Sequence, residues 1–503
     1  MVDGIRVGSA ASGLAALNSY PVESIERIEL VKGPFSGIYG SDAAGGVIQI
    51  FTKKGGDGLK SISSSFGSNG LQEYGASLNL GNDQHGLHIG LQHENQSGFD
   101  RSDTEIPGDR DGFKENAISI NGKTTLHEST TASLSILYTD SDVEFDEGVT
   151  ENKDLNLVLN VASQINDNLV WSNIIGINDT EADTDSGSFI NSSKRESFNT
   201  EFAYSLNSIT NVTFGADYYK EDVGGSTSTF VDFTRDNKGY YAQLITGYNA
   251  INLVTSLRRD ENSDYGDETN YSVAVGYKLN DQIRFSLNNG TSFKAPTFFD
   301  LFLPVLDFGP FGIFGGNPDV QPEESESYEF NIIGEHNNIN WSLSLYQTDF
   351  ENLIQNSQGV IQIPTNISRA RIEGYEVTLN TKLLDWDLNF NIDVLSTENL
   401  ITGQRLPDRA EETFNLSASR DFGKFDFAFN VKYEHDRFDQ NFGEPTPFRL
   451  SSFVVFDART SIQLSEDIVI TAKVDNLFNE DFIVNSGFNT GGRLAKVSLK
   501  YAF

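Results

Sequence analysis

The sequence predicts an all-β membrane protein: an antiparallel transmembrane β-barrel of about 22 strands, with a partial N-terminal plug domain inside its lumen. Three observations predict this fold. Polar and apolar side chains alternate over long segments, short and long connections alternate between these segments, and no run approaches the roughly 18 apolar residues of a spanning helix. A closed sheet pairs all of its backbone groups within a bilayer, so each strand can face lipid on one side and water on the other.

The alternation is clearest in residues 424–434, where every second side chain is apolar and the side chains between them are polar or charged. Successive side chains of a strand point to opposite faces, so this segment has one apolar and one charged face. The same sorting recurs at 386–394 and 496–503. On a soluble protein such long faces, rich in Phe and Tyr, would be left exposed, and no fixed repeat indicates a propeller.

Turn-forming sequences alternate with longer polar connections along the chain. In an up-and-down membrane barrel, short turns lie on one side of the membrane and long loops on the other, joined by strands that are often about 10 to 13 residues long. The predicted short turns are at 82–84, 166–167, 207–208, 249–250, 280–281, 336–338 and 422–423. The predicted long connections are at 98–113, 140–152, 179–194, 222–236, 260–268, 297–321 and 436–450.

Composition excludes several functions. The 503 residues carry a net charge of -36, which argues against nucleic acid as a partner. There is no cysteine, which excludes disulfides and thiolate metal sites. No phosphate-binding loop or nucleophile elbow is present, so we expect neither an enzyme nor a bound cofactor.

Residues 1–56 differ from the rest, because they are Gly-rich and lack long alternating segments. A barrel this wide cannot be filled by its own side chains, so it either leaks or carries a plug. We therefore expect residues 1–56 to be part of a plug and residues 57–503 to form the barrel. The chain opens in the middle of a strand pattern without a signal peptide, and we expect the first half of the plug to be missing.

Residues 21–34 and 39–48 closely resemble the second half of the plug domain of TonB-dependent outer-membrane receptors. Barrel segments of the same family resemble this chain at 292–296, 316–323, 370–376, 474–479 and Phe503. The resemblance covers essentially the whole chain. It implies a monomeric active transporter in the outer membrane lipid of a Gram-negative bacterium, driven by TonB through an N-terminal segment that this chain lacks.

Within that family, the compact barrel and the segments 39–46 and 66–70 are most similar to cobalamin (vitamin B12) receptors. Siderophore and haem receptors share most of these motifs, so the ligand is either a corrinoid or an iron chelate. A passive pore with an incomplete plug and a secreted adhesive β-protein remain alternatives from other classes.

By resemblance, the part of the plug that faces the ligand is its apical loop. Aromatic residues in the long loop, Phe308, Phe311 and Phe314, would cover the ligand or pack on one another. The predicted ligand-binding residues are Gly8, Ser9, Ala10, Ala11, Ser12 and Gly13.

The resemblance also implies ion pairs between plug cations and barrel glutamates. Arg27 and Lys32 are the candidate cations, and Glu329 and Glu376 lie on the polar faces of their strands. A carboxylate in a crowded lumen gains from a cation partner, although the family favours Arg where this chain has Lys32. The alternative is that lumen water solvates each glutamate.

Asp179, Glu181, Asp183 and Asp185 place four carboxylates within seven positions, in a segment predicted to be a loop. Oxygen ligands at this density suit Ca²⁺, and cobalamin receptors carry calcium-ordered acidic loops in about this region. The alternative is a solvated acidic loop. Residues 140–151 form a second acidic segment with a weaker case for calcium.

His85, His88 and His93 are not expected to bind a metal. On a strand, positions 85 and 93 share a face but lie far apart, and position 88 points the other way. We expect them to be surface histidines.

Overall fold

The computed structural model describes residues 1–15, 20–56, 58–102, 110–145, 148–185, 189–227, 230, 233–307, 312–357, 360–439 and 448–503, without the side chains of residues 367 and 368. No helix in these ranges is long and apolar enough to cross a membrane.

The plug lies in the lumen and contains a two-stranded sheet. A 3-10 turn at Val22–Ser24 leads into β1 (Ile25–Lys32), followed by α1 (Ser36–Tyr39) and β2 (Gly46–Thr52). β1 and β2 are antiparallel, with Leu30 opposite Ile48.

The first part of the barrel wall is a meander of strands, with a 3-10 turn at Ser68–Gly70 between the first two. Its strands are β3 (Lys60–Gly67), β4 (Gln72–Gly81), β5 (His85–Phe99), β6 (Asp111–His127), β7 (Thr130–Phe145), β8 (Gly148–Asn166), β9 (Leu169–Thr184), β10 (Phe189–Asn207), β11 (Thr210–Asp222), β12 (Thr234–Tyr248), β13 (Ile251–Asn262), β14 (Gly266–Lys278) and β15 (Ile283–Lys294).

The connection after β15 is the most elaborate that the structure describes. It contains α2 (Phe298–Phe302), β16 (Leu306–Asp307) and β17 (Ile313–Phe314). The N-terminus of α2 is closed by a capping box, in which Thr297 and Asp300 bond each other's backbone N–H. A later outer loop contributes β20 (Ile361–Gln362), which pairs with β17, so two loops join in a small outer sheet.

The second part of the wall completes the barrel. Its strands are β18 (Glu323–His336), β19 (Ile339–Asn356), β21 (Pro364–Leu383), β22 (Trp386–Asn399), β23 (Arg409–Asp421), β24 (Phe425–Asp439), β25 (Phe448–Leu450), β26 (Phe453–Gln463), β27 (Ile468–Asp475) and β28 (Leu494–Ala502). β25 and β26 both pair with β24, and β28 pairs with β3 to close the sheet. Within the described residues the result is the predicted closed antiparallel barrel of 22 strands.

All seven predicted short turns lie at one end of the barrel, and three further turns, at 128–129, 384–385 and 464–467, lie there too. Several strands are longer than expected: β21 has 20 residues and β8 has 19. They extend beyond the membrane because their hydrogen-bonded ladders continue through polar sequence.

This extension corrects one prediction. Asp179, Glu181 and Asp183 are not in a loop, because β9 stays paired with β8 and β10 up to Thr184. Asp185 lies in the turn that follows. Polar sequence beyond the membrane still forms strands when both neighbouring strands supply pairing partners.

Aromatic side chains mark two levels on the outer surface of the barrel. The three Trp residues, Trp171, Trp341 and Trp386, all lie next to the short turns at the inner end. Seven tyrosines with exposed rings mark a second level farther out along the strands, as expected for the aromatic girdles of a membrane barrel. These outer tyrosines are Tyr74, Tyr138, Tyr218, Tyr240, Tyr271, Tyr328 and Tyr375.

Candidate functional site

The apical loop of the plug, residues 8–13, is bound to the inner wall of the barrel. Gly8 N donates a hydrogen bond to Asn178 Oδ1 of β9 at 3.1 Å. Ala10 N donates to Ser193 Oγ of β10 at 2.7 Å. Small side chains in the loop allow its backbone to approach the wall this closely.

The α2 segment covers part of this loop from the outside. Phe299 N donates to Ala11 O at 3.0 Å, and Ala11 is 0% exposed. Ala11 is enclosed by this cover, and its role as a ligand contact stays a prediction. Phe314 packs against this cover, whereas Phe308 and Phe311 lie outside the described residues. The buried cover residues around Ala10 and Ala11 are Val223, Phe230, Phe298 and Leu303.

A cavity of about 1090 Å³ lies between the plug, the inner wall and the outer loops; we call it the luminal cavity. Its volume lies just above the usual range for ligand sites, roughly 300 to 1,000 Å³. Ser9 Oγ is buried and has no hydrogen-bond partner among the described residues. A polar ligand group that reached this atom would supply its missing hydrogen bond. The apical-loop residues that line the cavity are Gly8, Ser9, Ala10, Ser12 and Gly13.

The charged side chains of the cavity wall are neutralised within the protein. Arg195 of β10 and Arg235 of β12 bind opposite oxygens of Glu221 on β11, with Nε-to-oxygen distances of 2.8 Å in both cases. Arg235 Nη1 also donates to Pro296 O at 2.7 Å. All three side chains are buried, so each charge depends on its partners.

The remaining charges of the cavity are paired in the same way. Arg6 of the plug forms an ion pair with Asp42, also of the plug. Lys294 Nζ lies 3.1 Å from Glu323 Oε1. With Asp300 in the α2 cap, the cavity is lined by four basic and four acidic side chains: Arg6, Arg195, Arg235 and Lys294, and Asp42, Glu221, Asp300 and Glu323.

The predicted plug–barrel cations behave differently from each other. Lys32 Nζ lies 2.7 Å from both carboxylate oxygens of Glu376 on β21. Arg27 binds Glu29 of the plug at 2.6 Å, and its guanidinium lies over the Phe51 ring. Arg27 is thus held within the plug sheet. Glu329 instead accepts a hydrogen bond from Asn288 Nδ2 at 3.1 Å.

The plug also docks on the barrel at α1. Arg258 of β13 donates to Ile38 O at the end of α1, at 3.2 Å, and binds both Asp217 and Asp260 at 2.6 Å. A Cβ at Gly37 would lie 2.5 Å from Ser256 Oγ. Only glycine lets α1 approach the wall at this distance.

Models of known protein families match both the barrel and the plug of this chain. The family model described as "TonB dependent receptor-like, beta-barrel" matches residues 66–477, and the model described as "TonB-dependent Receptor Plug Domain" matches residues 1–47. The chain belongs to the TonB-dependent receptor family. The family consists of receptors and transporters rather than enzymes, and the receptor resides in the Gram-negative outer membrane.

Two curated relatives carry the same name. The chain is 28% identical to "Vitamin B12 transporter BtuB" of Photobacterium profundum, an alignment that covers 100% of this chain and 84% of the relative. It is 26% identical to "Vitamin B12 transporter BtuB" of Vibrio vulnificus, with 98% and 81% covered.

Solved structures share the fold at low sequence identity. The siderophore receptor PirA from Acinetobacter baumannii superposes with a TM-score of 0.86 at 18% identity, covering 100% of this chain and 90% of PirA. The copper transporter OprC gives 0.83 at 16% identity, with the same coverage. At these identities the similarity establishes the receptor's fold alone.

The predicted calcium ligands do not form a compact site in the receptor. Asp179, Glu181 and Asp183 occupy alternate positions of β9, so consecutive members of this set are separated by about 6.6 Å along the strand. Glu181 is paired with Lys153 at 3.5 Å. Asp185 Oδ1 accepts the Val149 N–H at 3.1 Å. No group of three acidic or histidine side chains within the described ranges could hold a metal ion. Calcium stays a prediction.

One histidine differs from expectation. His88 is 0% exposed rather than on the surface. Its Nδ1 lies 2.8 Å from Asn79 Oδ1, and its Nε2 lies 3.2 Å from Ser24 Oγ of the plug. The side chain therefore connects the barrel to the plug near the inner end.

Sequence reasoning missed the arginines of the receptor's lumen. Arg195, Arg235 and Arg258 are all buried toward the lumen, while the residues next to them in the chain point outward from the barrel. The signal was present, because strand alternation assigns each of them to the polar face in a chain with only 36 Lys and Arg residues. Their carboxylate partners, however, are set by the pairing of neighbouring strands.

Proposed function

We propose that the receptor binds a cobalamin-type corrinoid in the luminal cavity and imports it to the periplasm. Energy comes from TonB, acting on the plug from the inner side of the membrane. The receptor works as a monomer and catalyses no covalent step. The two relatives named as vitamin B12 transporters, aligned over 98 to 100% of the chain, support this cargo.

The internal pairing of charges around the cavity carries the proposal. Four basic and four acidic side chains line it, and the arginines are satisfied by protein carboxylates. A polyanionic iron chelate would require cations free of such partners, since burying its charge without them costs several kcal/mol. A corrinoid presents mainly neutral amides and a broad apolar ring, which suit a charge-balanced cavity.

The apical loop offers contacts of the right kind. Ser9 Oγ, which lacks a partner among the described residues, could bond an amide of the ligand. Leu14, which is 74% exposed beside the cavity, could pack against a flat ring. Together they combine the apolar surface and the few polar groups typical of ligand sites.

A ferric siderophore is the second candidate cargo, because the solved receptor PirA, which shares this fold, is named for a siderophore. A passive channel is a candidate from another class. Conductance separates it from the transporter, because a plug bound through Arg258 and Lys32 predicts a closed pore without TonB.

A binding panel tests the cargo. Purified receptor is titrated with cyanocobalamin and with ferric siderophores of different charge. We expect cyanocobalamin to bind and ferric triscatecholates not to. Tight binding of a triscatecholate with none of cyanocobalamin would overturn the proposal.

Variants locate the site. Ser9→Val should weaken cyanocobalamin binding by about tenfold, the equivalent of one lost hydrogen bond. Ser451→Ala, at an exposed serine outside the cavity, is the matched control. Equal affinities of the two variants would place the ligand elsewhere.

Calcium is proposed as an ordering ion for the acidic outer surface of β7 to β9. Strand pairing sets Glu151 opposite both Asp142 and Asp183. These carboxylates do not close into a compact metal cage, and Lys114 lies 3.9 Å from Asp142, so the proposed Ca²⁺ acts by screening their mutual repulsion at the surface. We expect Ca²⁺ to raise the thermal stability of this region and the affinity for cyanocobalamin. Asp183→Asn should reduce both effects, and an unchanged response to Ca²⁺ would exclude the site.

A further inference from the structure

The outward face of β11, β12 and β13 carries charge in layers. Going outward from the membrane, β11 presents Tyr218, Lys220 and Asp222, which all lie on one face because their positions alternate. β12 presents Tyr240, Lys238 and Asp236 in the same order. β13 presents Leu257, Arg259 and Glu261.

Inward and outward faces are unambiguous on these strands. Tyr240 is 50% and Leu257 57% exposed, whereas the intervening Tyr241 and Arg258 are buried toward the lumen. Lys220, Lys238 and Arg259 therefore point away from the barrel, directly beyond the outer tyrosine girdle. We call these three residues the cationic trio.

Strand register keeps the trio at one depth. Tyr218 is paired with Lys238, and Tyr240 is paired with Arg259. From one strand to the next, the cation is therefore displaced along the ladder by two residues, and the girdle residue below it is displaced by the same amount. Because barrel strands are tilted to the membrane normal, this diagonal runs along the membrane surface. Neighbours on such a diagonal lie roughly 7 to 8 Å apart.

Four other strands that carry a girdle tyrosine have no cation at this depth. The residue two places beyond the girdle tyrosine is Asp140 on β7, Thr269 on β14, Glu326 on β18 and Glu373 on β21. Three successive cations are therefore a local exception in a chain that has 72 acidic and 36 basic residues.

Two of the trio are not neutralised by the protein. Arg259 is paired twice, with Nη2 2.5 Å from Asp267 and Nε 3.7 Å from Glu261, and all three side chains are about half-exposed. Lys220 and Lys238 are exposed and, among the described residues, form no ion pair within 4.0 Å. Lys220 stays beyond that distance although Glu196 and Asp236 are its partners in the two ladders.

We propose that the cationic trio is a docking site for the phosphate groups of an outer-leaflet glycolipid of the lipid A type. Phosphates of such a lipid lie at the upper boundary of its acyl chains, which is the depth of the trio, and the receptor resides in a membrane that contains them. Lysine and arginine bind phosphate through charge-assisted hydrogen bonds, and cations close to a membrane attract anionic lipid. The carboxylates Asp222 and Asp236 form the next layer outward and repel phosphate, so they bound the site on its outer side. Glu261 in the same layer pairs with Arg259 and lies opposite Lys238, so phosphate must compete with it there.

The proposal is tested by native mass spectrometry of the intact receptor in detergent, titrated with bisphosphoryl lipid A. The double variant Lys220→Gln/Lys238→Gln should bind the lipid at least tenfold more weakly than the wild type. Lys220→Arg/Lys238→Arg should retain binding, because it keeps both charges. Lys153→Gln is the matched control, since Lys153 lies at the same depth on β8 but is paired with Glu181 at 3.5 Å.

Two further arms identify the ligand. Monophosphoryl lipid A should bind more weakly than the bisphosphoryl form, and millimolar inorganic phosphate should not displace either. Heat-modifiable migration on a gel establishes that each variant is folded. Equal lipid binding by the wild type and the Gln double variant, an equal loss in Lys153→Gln, or displacement by free phosphate would each overturn the proposal.

Discussion

The plug is attached to the barrel differently on its two sides. On the α1 side, Arg258 is 3% exposed and joins two barrel carboxylates to the end of a plug helix. On the β1 side, the contact at Lys32 is a single ion pair with Glu376, and the Lys32 side chain is 58% exposed.

The difference shows that ion pairs of similar length contribute unequally. An exposed pair gains little, because water solvates both charges nearly as well as the partners do. A buried cation between two carboxylates cannot be removed without leaving charge in a medium of low polarity. We therefore infer that the α1 side fixes the position of the plug, while the β1 side adjusts to it.

Replacing Arg258 is the strongest way to break this asymmetry. Arg258→Met leaves Asp217 and Asp260 without their cation and removes the bond to Ile38 O. We expect a loss of about 3 to 5 kcal/mol in the free energy of unfolding, measured by denaturant unfolding in detergent. Arg259→Met, on the lipid side of the same strand, is the control and should cost less than about 1 kcal/mol.

Equal losses in the two variants would show that burial does not set the energy of these contacts. The Arg258 variant should also raise the ion conductance of the receptor in planar bilayers, since α1 loses its attachment.

Close packing of α1 provides a second test on the same side. Gly37→Ala places a Cβ 2.5 Å from Ser256 Oγ, so α1 must move away from β13. We expect a loss of about 1 to 3 kcal/mol, typical of overpacking, in the same unfolding measurement. Gly45→Ala is the matched control, because no atom lies within 4 Å of a Cβ there.

Removing the obstructing hydroxyl should restore the packing. The double variant Gly37→Ala/Ser256→Ala should recover most of the lost stability. If it is as unstable as the single variant, the clash with Ser256 Oγ is not the cause.

The two sides also differ in how far sequence could predict them. The pair of Lys32 with Glu376 follows from a family resemblance and from the polar face of a strand. The contact of Arg258 with Ile38 joins residues 220 positions apart and depends on where α1 docks, which no local pattern specifies. The same reason hid the shared Glu221, because only strand register places it between two arginines.

The barrel itself was predictable because its signal is local and repeated. The alternation of polar and apolar residues predicted the strands, and the short Asn-containing turns predicted which strand ends meet at the inner end of the barrel. The prediction failed where composition and pairing disagree: the acidic segment at 179–184 has the composition of a loop but continues a ladder between β8 and β10. His88 was misplaced because alternation gives the side of a strand that a residue occupies, whereas burial depends on the plug beyond it.

On the β1 side the expected effect is smaller. Lys32→Ala should cost about 0.2 to 1 kcal/mol, and the cost should shrink further at high salt. Glu376 also accepts a hydrogen bond from Asn391 Nδ2 at 2.9 Å, so Glu376→Gln keeps part of its contacts and is the control. A double-mutant cycle over Lys32 and Glu376 in denaturant unfolding measures the pair directly. A coupling above about 2 kcal/mol would contradict the asymmetry.

The smallest expected effect concerns pH, and it extends the comparison to the outer loops. The loop after β22 is held by two carboxyl groups, Asp408 and Asp439. Burial, and then a hydrogen bond with Asp439, raises the pKa of Asp408 above its ordinary value. Asp439 Oδ2 in turn accepts the Ser486 N–H of another outer loop at 2.5 Å.

A carboxyl group whose pKa is higher in the folded protein stabilises the fold at low pH, and that contribution is lost as the pH rises through the folded value. We therefore expect the amides of residues 400–408 to exchange hydrogen faster above the raised pKa than below it, after correction for intrinsic rates. Asp408→Asn keeps a hydrogen-bond donor but cannot titrate, so its exchange should not depend on pH. If the corrected exchange of the wild-type loop is also independent of pH, the two carboxyl groups do not share a proton. The outer loop would then be held by contacts that do not titrate.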